Sequence, residues 1–396
     1  MPIADEYSCD YLIIGGGAAG LSLAYHLAQE PRLDGKRIIV VEPEAVKAND
    51  RTWRYWAIGS TPFESIETHC WDKLVLRTPN YEQAFGLGSY RYRMVKAQDF
   101  YDYVHRALDA RPAQFIRRAG CVIALIEEPN GVCVHLADGQ TLRTCYAFDS
   151  RLPSLTRQPS RYLYLEQHFR GWEVETDYDF FDPDTVQFMD FRVPQHGQAR
   201  FVYALPFSER RALVEFTVFS PHRLPAEEYK TELRRYLAEH LGGRPYRIVA
   251  EEEGGIPMTN HPLSARTSPH VFNLGTRAGR AKPSTGYTFA RIQLHSARLV
   301  QALAATGHPP VDATGDRWQF RLFDTLLLDV IQRQGEQLGS IFSDLFRHNA
   351  VPQLFAFLDE QTSWRENIHI MRSVSPWPFL HSLSRLIWKK LLKEHK

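Results

Sequence analysis

The sequence predicts an α/β protein made of a dinucleotide-binding Rossmann domain, an antiparallel-sheet domain and a helical C-terminal region. Three features carry this reading. A strand–turn–helix signature, DYLIIGGGAAGLSLAYHLA, fills residues 10–28; a series of aromatic-rich strands follows residue 160; and the chain beyond residue 310 has mainly helical spacing. The boundaries drawn from the pattern are 1–150 and 246–310 for a discontinuous nucleotide-binding domain, 151–245 for the sheet domain and 311–396 for the helical region. A length of 396 residues suits two domains or such a discontinuous pair.

Residues 10–28 pose a choice between a membrane span, a secretion signal and a nucleotide-binding turn. Length alone suits a span. A signal peptide needs Lys or Arg ahead of its apolar stretch, whereas Asp5, Glu6 and Asp10 stand here. Gly15, Gly16, Gly17 and Gly20 interrupt the run, dividing a β-branched strand, YLIIG, from a helical segment, AAGLSLAYHLA. Gly15, Gly17 and Gly20 make GxGxxG, which permits a sharp turn, close approach of backbone N–H groups to a pyrophosphate, and tight packing of helix on strand. The helix N-terminus adds partial positive charge. A second strand, RIIVVE, ends at Glu42, 27 residues beyond Gly15, where an acid takes ribose hydroxyls. The polar loop EPRLDGK absorbs the longer gap. GxGxxG alone is weak; strand, turn, helix and acid-ended strand in order favour a dinucleotide site over a buried glycine turn.

Composition excludes other classes. Net charge is +1, so no global field points to nucleic acid. The cysteines, Cys9, Cys70, Cys121, Cys133 and Cys145, contain no CxxC and indicate neither a disulfide framework nor a metal site, which suits a reducing cytoplasm.

After Glu42 comes the aromatic-basic stretch NDRTWRYWA, in which Arg51 and Arg54 are candidates for phosphate contact and Trp53 and Trp56 for stacking on a flat ring. YRYRMVKAQDFYDYVHRAL reads as a strand running into a helix. CVIALIEEP and GVCVHLADGQTL read as a hairpin turning at Asn130–Gly131, and CYAFDSRLP as a buried strand ending at Asp149. QHFRGWEVET, TVQFMDFRV, ARFVYALPFS and RALVEFTVFS then form a sheet broad enough to wall a site for something flat and apolar. AEEYKTELRRYLAEHL is an amphipathic helix closed by Gly242–Gly243. A later strand ends at Gly275, and a helix is expected to start between Ser284 and Gly286. The C-terminal FLHSLSRLIWKKLLKEHK is apolar at Phe379, Leu380, Leu383, Leu386, Ile387 and Leu391. Arg385, Lys389, Lys390 and Lys393 stand ready for anionic head groups.

Together, GGGAAGLSLAYHLA, DRTWRYW, YRYRMVKAQDFYDYV, FDSR, QHFRGWEVET with FMDFRV, FVYALPFSERRALVEFT, EEEGGIPM and TRAGRAKPSTGYTFAR resemble the FAD-dependent lycopene β-cyclases of carotenoid biosynthesis. The blocks fall in order across roughly residues 8–300. The resemblance implies a glutathione-reductase-like FAD-binding Rossmann domain, an antiparallel-sheet substrate domain and a helical C-terminal region. It also implies reduced FAD as the active cofactor, NADPH as electron source, and lycopene as substrate. Reaching a lipid-confined polyene implies a cytoplasmic protein held at the membrane surface.

The implied reaction is an isomerisation with no net redox change. A proton adds to the terminal double bond, the neighbouring double bond attacks the tertiary cation, and a proton leaves to close the β-ring, giving γ-carotene and then β-carotene. This needs an acid beside an apolar chain, a negative charge near the cation, and exclusion of water. Glu215, in LVEFT, matches the family's acidic position, and alternation puts Leu213 and Thr217 on its face. The family's second acid is missing at Phe216 and Thr217. Glu252, in EEEGGIPM, is the other candidate acid, ahead of Glu251 and Glu253. For the cofactor, the resemblance points to Gly15, Gly17, Gly20, Glu42, Arg51, Gly275, Thr276, Pro283 and Gly286, with Arg277, Arg280 and Lys282 beside the loop. The rival readings are a monooxygenase or prenyl reductase of the same fold, and a non-catalytic isoprenoid carrier.

Overall fold

The computed structural model describes residues 8–44, 49, 51–152, 162–310 and 317–394. Strand β1 (Cys9–Ile14), helix α1 (Ala18–Ala28) and strand β2 (Ile38–Glu42) open the chain as the glycine signature requires. Strands β3 (Thr52–Ile58), β4 (His69–Trp71), β5 (Lys73–Thr78), β6 (Tyr81–Gly86) and β7 (Tyr90–Lys96) lead to helix α2 (Ala97–Asp109). Then come β8 (Phe115–Ala119), β9 (Val122–Glu128), β10 (Gly131–Leu136) and β11 (Thr141–Asp149). The second half holds β12 (Tyr164–Glu175), β13 (Thr185–Asp190), β14 (Ala199–Ser208), β15 (Arg211–Ser220), α3 (Ala226–His240) and β16 (Arg247–Thr259). Short strands β17 (Arg266–Ser268) and β18 (Val271–Asn273) precede α4 (Phe289–Thr306). The end is helical: α5 (Trp318–Gln334), α6 (Leu338–His348), α7 (Val351–Leu358), α8 (Trp364–Arg372) and α9 (Trp377–Glu394).

Among the described residues these strands make three sheets. In the first, β18, β11, β1, β2 and β8 run parallel side by side, with β17, β10 and β9 added antiparallel. β1 and β2 are almost continuously buried, as parallel strands covered on both faces must be. The second sheet runs β16-β12-β15-β14-β13-β5-β6, antiparallel except where β13 meets β5. The third is β3-β7-β4. The second sheet thus takes in Lys73–Gly86 and runs to Thr259, past the boundary drawn at 246.

Two local expectations are corrected. The β9–β10 hairpin turns at Pro129–Asn130, because Gly131 is already paired with Glu128. The helix expected from Ser284–Gly286 begins only at Phe289: Gly286 adopts φ +73°, and Gly286 N donates to Lys282 O at 2.8 Å, so the segment closes as a turn first. The C-terminal helices are no appendage. Leu328, Phe342, Phe346, Leu354 and Phe355 share one core with Tyr92, Phe188 and Tyr203 of the sheets.

Candidate functional site

The glycine turn fits a dinucleotide. Gly15 has φ +97°, a conformation that costs a side-chain-bearing residue roughly 1 kcal/mol or more. A Cβ at Gly20 would stand 1.9 Å from Gly15 O, so only glycine lets α1 close on the turn. A Cβ at Gly17 would meet nothing within 4 Å. Gly17 is the N-cap of α1, no side chain caps it, and the first turn holds no acid. The structure therefore leaves open space at a positive helix end, the requirement for a pyrophosphate. Glu42 lies at the same turn, its carboxylate accepting from Gly16 N. Gly275 (φ +56°) brings the loop after β18 against α1, where a Cβ would be 2.6 Å from that of Ala19. Thr276 and Pro283 line one cavity of about 370 Å³, shared with Pro257 at the end of β16. Arg51 stands exposed at the head of β3, its carbonyl accepting from Ala97 N at 3.0 Å.

The two candidate acids, 37 positions apart in sequence, meet across one glycine. Gly171 of β12 is paired with Glu215 of β15 on one side and with Glu252 of β16 on the other. A Cβ at 171 would lie 3.1 Å from Glu252 Cγ and 3.5 Å from Glu215 Cβ. The missing side chain is the gap over which both carboxyl groups lean together. The side chains of Glu215 and Glu252 are 1% and 8% exposed. Thr217 Oγ1 donates to Glu215 Oε1 at 2.9 Å, and Thr52 Oγ1 to Glu252 Oε2 at 2.6 Å. Period-two alternation turns Glu251 and Glu253 the other way, onto Arg170.

Arg54, from β3, reaches both acids. Its Nη2 is 2.5 Å from Glu215 Oε2 and 3.5 Å from Glu252 Oε1. Burial opposes its charge, but the two carboxylates outweigh that and hold the guanidinium firmly protonated. Its assignment to phosphate is therefore corrected. One arginine cannot neutralise two buried carboxylates, and Glu252 Oε1 has no hydrogen-bond partner among the described residues. Burial pushes the Glu252 carboxyl up to about 7; Arg54 opposes this, and the charge of Glu215 adds to it. The arrangement places a carboxyl group whose burial makes it hold its proton up to about neutrality beside a second one ion-paired to a guanidinium.

Aromatic rings close the surroundings. Arg54 lies 5.6 Å from the Tyr203 ring centroid and 6.0 Å from that of Phe169. Tyr92 and Tyr203 are buried, and Tyr287 packs against them with its hydroxyl 3.5 Å from that of Tyr92. Burial raises the phenols above their ordinary range, Tyr92 to about 12. The tryptophans expected to stack on a cofactor are used within the protein. Trp53 stacks on Phe289 at 5.4 Å, and Trp56 on Phe355 at 4.4 Å while donating to Asp359 Oδ2. Of the bases beside the loop, Lys282 is bound by Asp324 and Glu360, and Arg277 by Asn273. They fasten the loop to its neighbours. A cleft of about 650 Å³, lined by His295, Arg298 and Arg317, holds neither acid, and a void of about 10 Å³ is lined by Arg54, the partner of both.

Sequence reasoning missed Thr52, Gly171 and the tyrosines. Gly171 carried a readable signal, an isolated glycine inside an aromatic strand.

At the C-terminus, α9 has two faces. Ser382 is buried, and Arg385 reaches Asp329 of α5 at 2.5 Å, so Arg385 anchors the helix and is removed from the set facing head groups. Trp377, Leu380, Leu383, Ile387, Trp388 and Leu391 form an exposed stripe, the two tryptophans 66% and 65% accessible. The side chains of Lys389, Lys390 and Lys393 lie outside the described ones. No helix among the described residues is long and apolar enough to cross a membrane.

Comparison with known proteins adds family and fold. A family model described as lycopene cyclase protein matches residues 10–384. The chain is 25% identical over 395 residues to a lycopene beta-cyclase of Pantoea ananas, covering 96% of this chain and 98% of that one. It is also 25% identical over 293 residues to a lycopene beta-cyclase of Pseudescherichia vulneris, covering 70% of each. Among solved structures it is similar to Klebsiella pneumoniae HpxO complexed with FAD (TM-score 0.60, 15% identity, 89% of this chain and 98% of that one). It is likewise similar to a geranylgeranyl bacteriochlorophyll reductase-like protein of Thermoplasma acidophilum (TM-score 0.59, 15% identity, 94% and 98%).

Proposed function

We propose, from the premise that this chain belongs to the lycopene cyclase family, that it closes the linear ends of lycopene into β-rings by acid–base chemistry without net redox change. The carrying observation is the row Glu215–Gly171–Glu252 with Arg54, which sets a buried carboxyl whose proton is held more tightly than usual beside one paired with a guanidinium. In this reading Glu252 donates the proton to the terminal double bond. Glu215, locked to Arg54, remains as fixed negative charge. The tertiary cation is attacked by the next double bond, and loss of a proton returns the mass to that of lycopene. Tyr92, Tyr203 and Phe169 keep water from the cation and offer it electron-rich ring faces.

Gly15, Gly17, Gly20, Glu42, Arg51, Gly275, Thr276, Pro283 and Gly286 are the residues we assign to hold FAD, supported by the open helix end at Gly17 and by an FAD complex of the same fold. When bound and reduced, with NADPH as source of electrons, FAD would supply a further negative charge near the reacting carbons. The test is product mass. Lycopene in liposomes with protein and reduced FAD should give a product of unchanged mass; an added oxygen or added hydrogens would replace this reading with a monooxygenase or a reductase.

A pH dependence follows from Glu252. Its folded pKa lies above the unfolded value of 4.5, so the folded state holds the proton more tightly. The stability that proton contributes is full below about pH 4.5 and is lost as pH rises through about 7. The acid disappears over the same range. kcat/KM should fall about tenfold per pH unit above neutrality; a profile flat to pH 9 would remove Glu252 as the donor.

The exposed stripe of α9 is our candidate for membrane contact. Changing Trp377, Leu380, Ile387 and Trp388 together to Ser removes outward apolar area and leaves the anchors Ser382 and Arg385 in place. Partition onto anionic liposomes, measured by co-sedimentation, should fall at least about tenfold, with flavin content and melting temperature unchanged. Equal sedimentation of both proteins would place the membrane contact elsewhere.

A further inference from the structure

Resting on the cyclase reading, a second question is how a rod-like polyene reaches an acid this deeply buried. Between α5 and the four helices that follow lies an apolar cavity of about 70 Å³. Phe323 and Leu327 of α5, Leu345 of α6, Phe357 of α7, Met371 of α8 and Phe379 of α9 line it. Of its polar members, Lys282 and Ser284 are both bonded to Asp324, Ser284 Oγ to Asp324 Oδ1 at 2.5 Å, and Thr285 stands beside them. Lys282 and Leu358 also line the small void that Arg54 and Tyr287 share. The two voids thus share Lys282 and Leu358 as a common wall: the outer one reaches Phe379 of α9, and the inner one is lined by Arg54, whose guanidinium grips both acids.

We infer that this seam is the channel through which one linear end of a long, all-carbon polyene enters. Its wall of phenylalanines offers flat, polarisable surfaces to a conjugated chain and no hydrogen bond to a polar ligand. An apolar cavity of this size stays dry, which the cation requires. Its outer end lies under α9, whose opposite face is the exposed apolar stripe, so a molecule leaving a lipid phase meets apolar surface as far as the ion-paired Lys282 at the inner end. Ordinary core packing accounts for the residue types; it does not account for two voids that share Lys282 and Leu358, the inner one reaching Arg54. The cavity is far narrower than a C40 chain needs, so the polyene parts the helices as it enters. Arg385–Asp329, and Ser382 Oγ donating to Leu326 O at 3.4 Å, hold α9 to α5 at its middle, leaving its first turn, with Phe379, as the side that moves.

Two bulk-adding variants test this: Leu345→Trp in mid-seam and Met371→Trp at the outer mouth. The probe is cis-parinaric acid, a conjugated tetraene that fluoresces when enclosed in apolar surroundings. Wild-type protein should bind it, and each variant should bind it at least about tenfold more weakly, at unchanged flavin content. kcat/KM for lycopene should fall in parallel. Absence of tetraene binding to wild type, or equal binding by folded variants, overturns the channel even if lycopene is cyclised. Weakened binding by the variants, with a wild type that never cyclises lycopene, supports the channel and removes the cyclase reading. If Leu345→Trp does not fold, Met371→Trp, at a half-exposed position, decides.

Discussion

Glu252→Gln should abolish cyclisation, lowering kcat by about 10²- to 10⁴-fold, while leaving fold and flavin intact. Because the carboxyl, pushed up to about 7, is about half neutral at pH 7, the amide copies the shape and polarity of its protonated form and still accepts from Thr52. Stability should change by no more than about 1 kcal/mol. Glu215→Gln should be equally inactive for a different reason, and the two can be told apart. Removing that carboxylate leaves Arg54 buried with Glu252 as its remaining acid. Burial still favours the neutral form of Glu252, but the like charge that added to it is gone while the opposite charge of Arg54 stays, so Glu252 shifts toward its ionised form. Breaking a buried pair costs about 3–5 kcal/mol, so Glu215→Gln should also melt several degrees lower. Thermal melts beside rate measurements decide: near-normal turnover of Glu252→Gln would return the acid's role to Glu215.

Gly17→Val should leave the protein folded and without FAD. The backbone at Gly17, φ −88° and ψ −168°, suits a β-branched residue, and nothing stands within 4 Å of the added Cβ. The valine instead takes up the space at the head of α1 that a pyrophosphate needs. An overlap worth about 3 kcal/mol weakens binding more than about 100-fold, enough to give colourless protein on purification. Gly20→Ala makes the contrast: its Cβ would meet Gly15 O at 1.9 Å, so it should damage the fold itself. Absorbance near 450 nm with a melting curve separates the two. Stoichiometric flavin in Gly17→Val would remove the nucleotide assignment.

What could be read in the sequence was what neighbours in sequence determine. The glycine turn, the strand ending at Glu42 and the β7–α2 junction depend on short-range stereochemistry, and each stands where expected. The misplaced start of α4 shows where such rules fail. Pro283 and Ser284 suit a helix N-terminus, yet Gly286 at φ +73° first turns the chain, and no local rule says which wins. Arg54 illustrates the larger gap. Its charge was visible, but its partner lies 161 positions away, and composition assigned it to a phosphate. The second acid sought next to Glu215 along β15 comes instead from β16, across Gly171, a relation that exists only once strands are paired. Among Glu251, Glu252 and Glu253, the match to the family's block, by distance to Ile256–Pro257, singled out the middle one, and strand alternation in β16 sets it apart from its neighbours, which face Arg170.

β16 is the outermost strand of its sheet on that side, and most of its first half is solvent-exposed, whereas β15 lies between β12 and β14. Edge strands open far more often than central ones, so backbone amides around Glu252 should exchange with solvent sooner than those around Glu215. The proton donor and the fixed charge beside it thus have unequal lifetimes against hydration. On the proposed cyclase reading, each opening of β16 would admit water to the space where the carbocation forms, and water captures a carbocation as an alcohol. Product fidelity is then a race between ring closure and the breathing of one sheet edge, and an enzyme with every catalytic group intact would leak hydroxylated carotene as it warms.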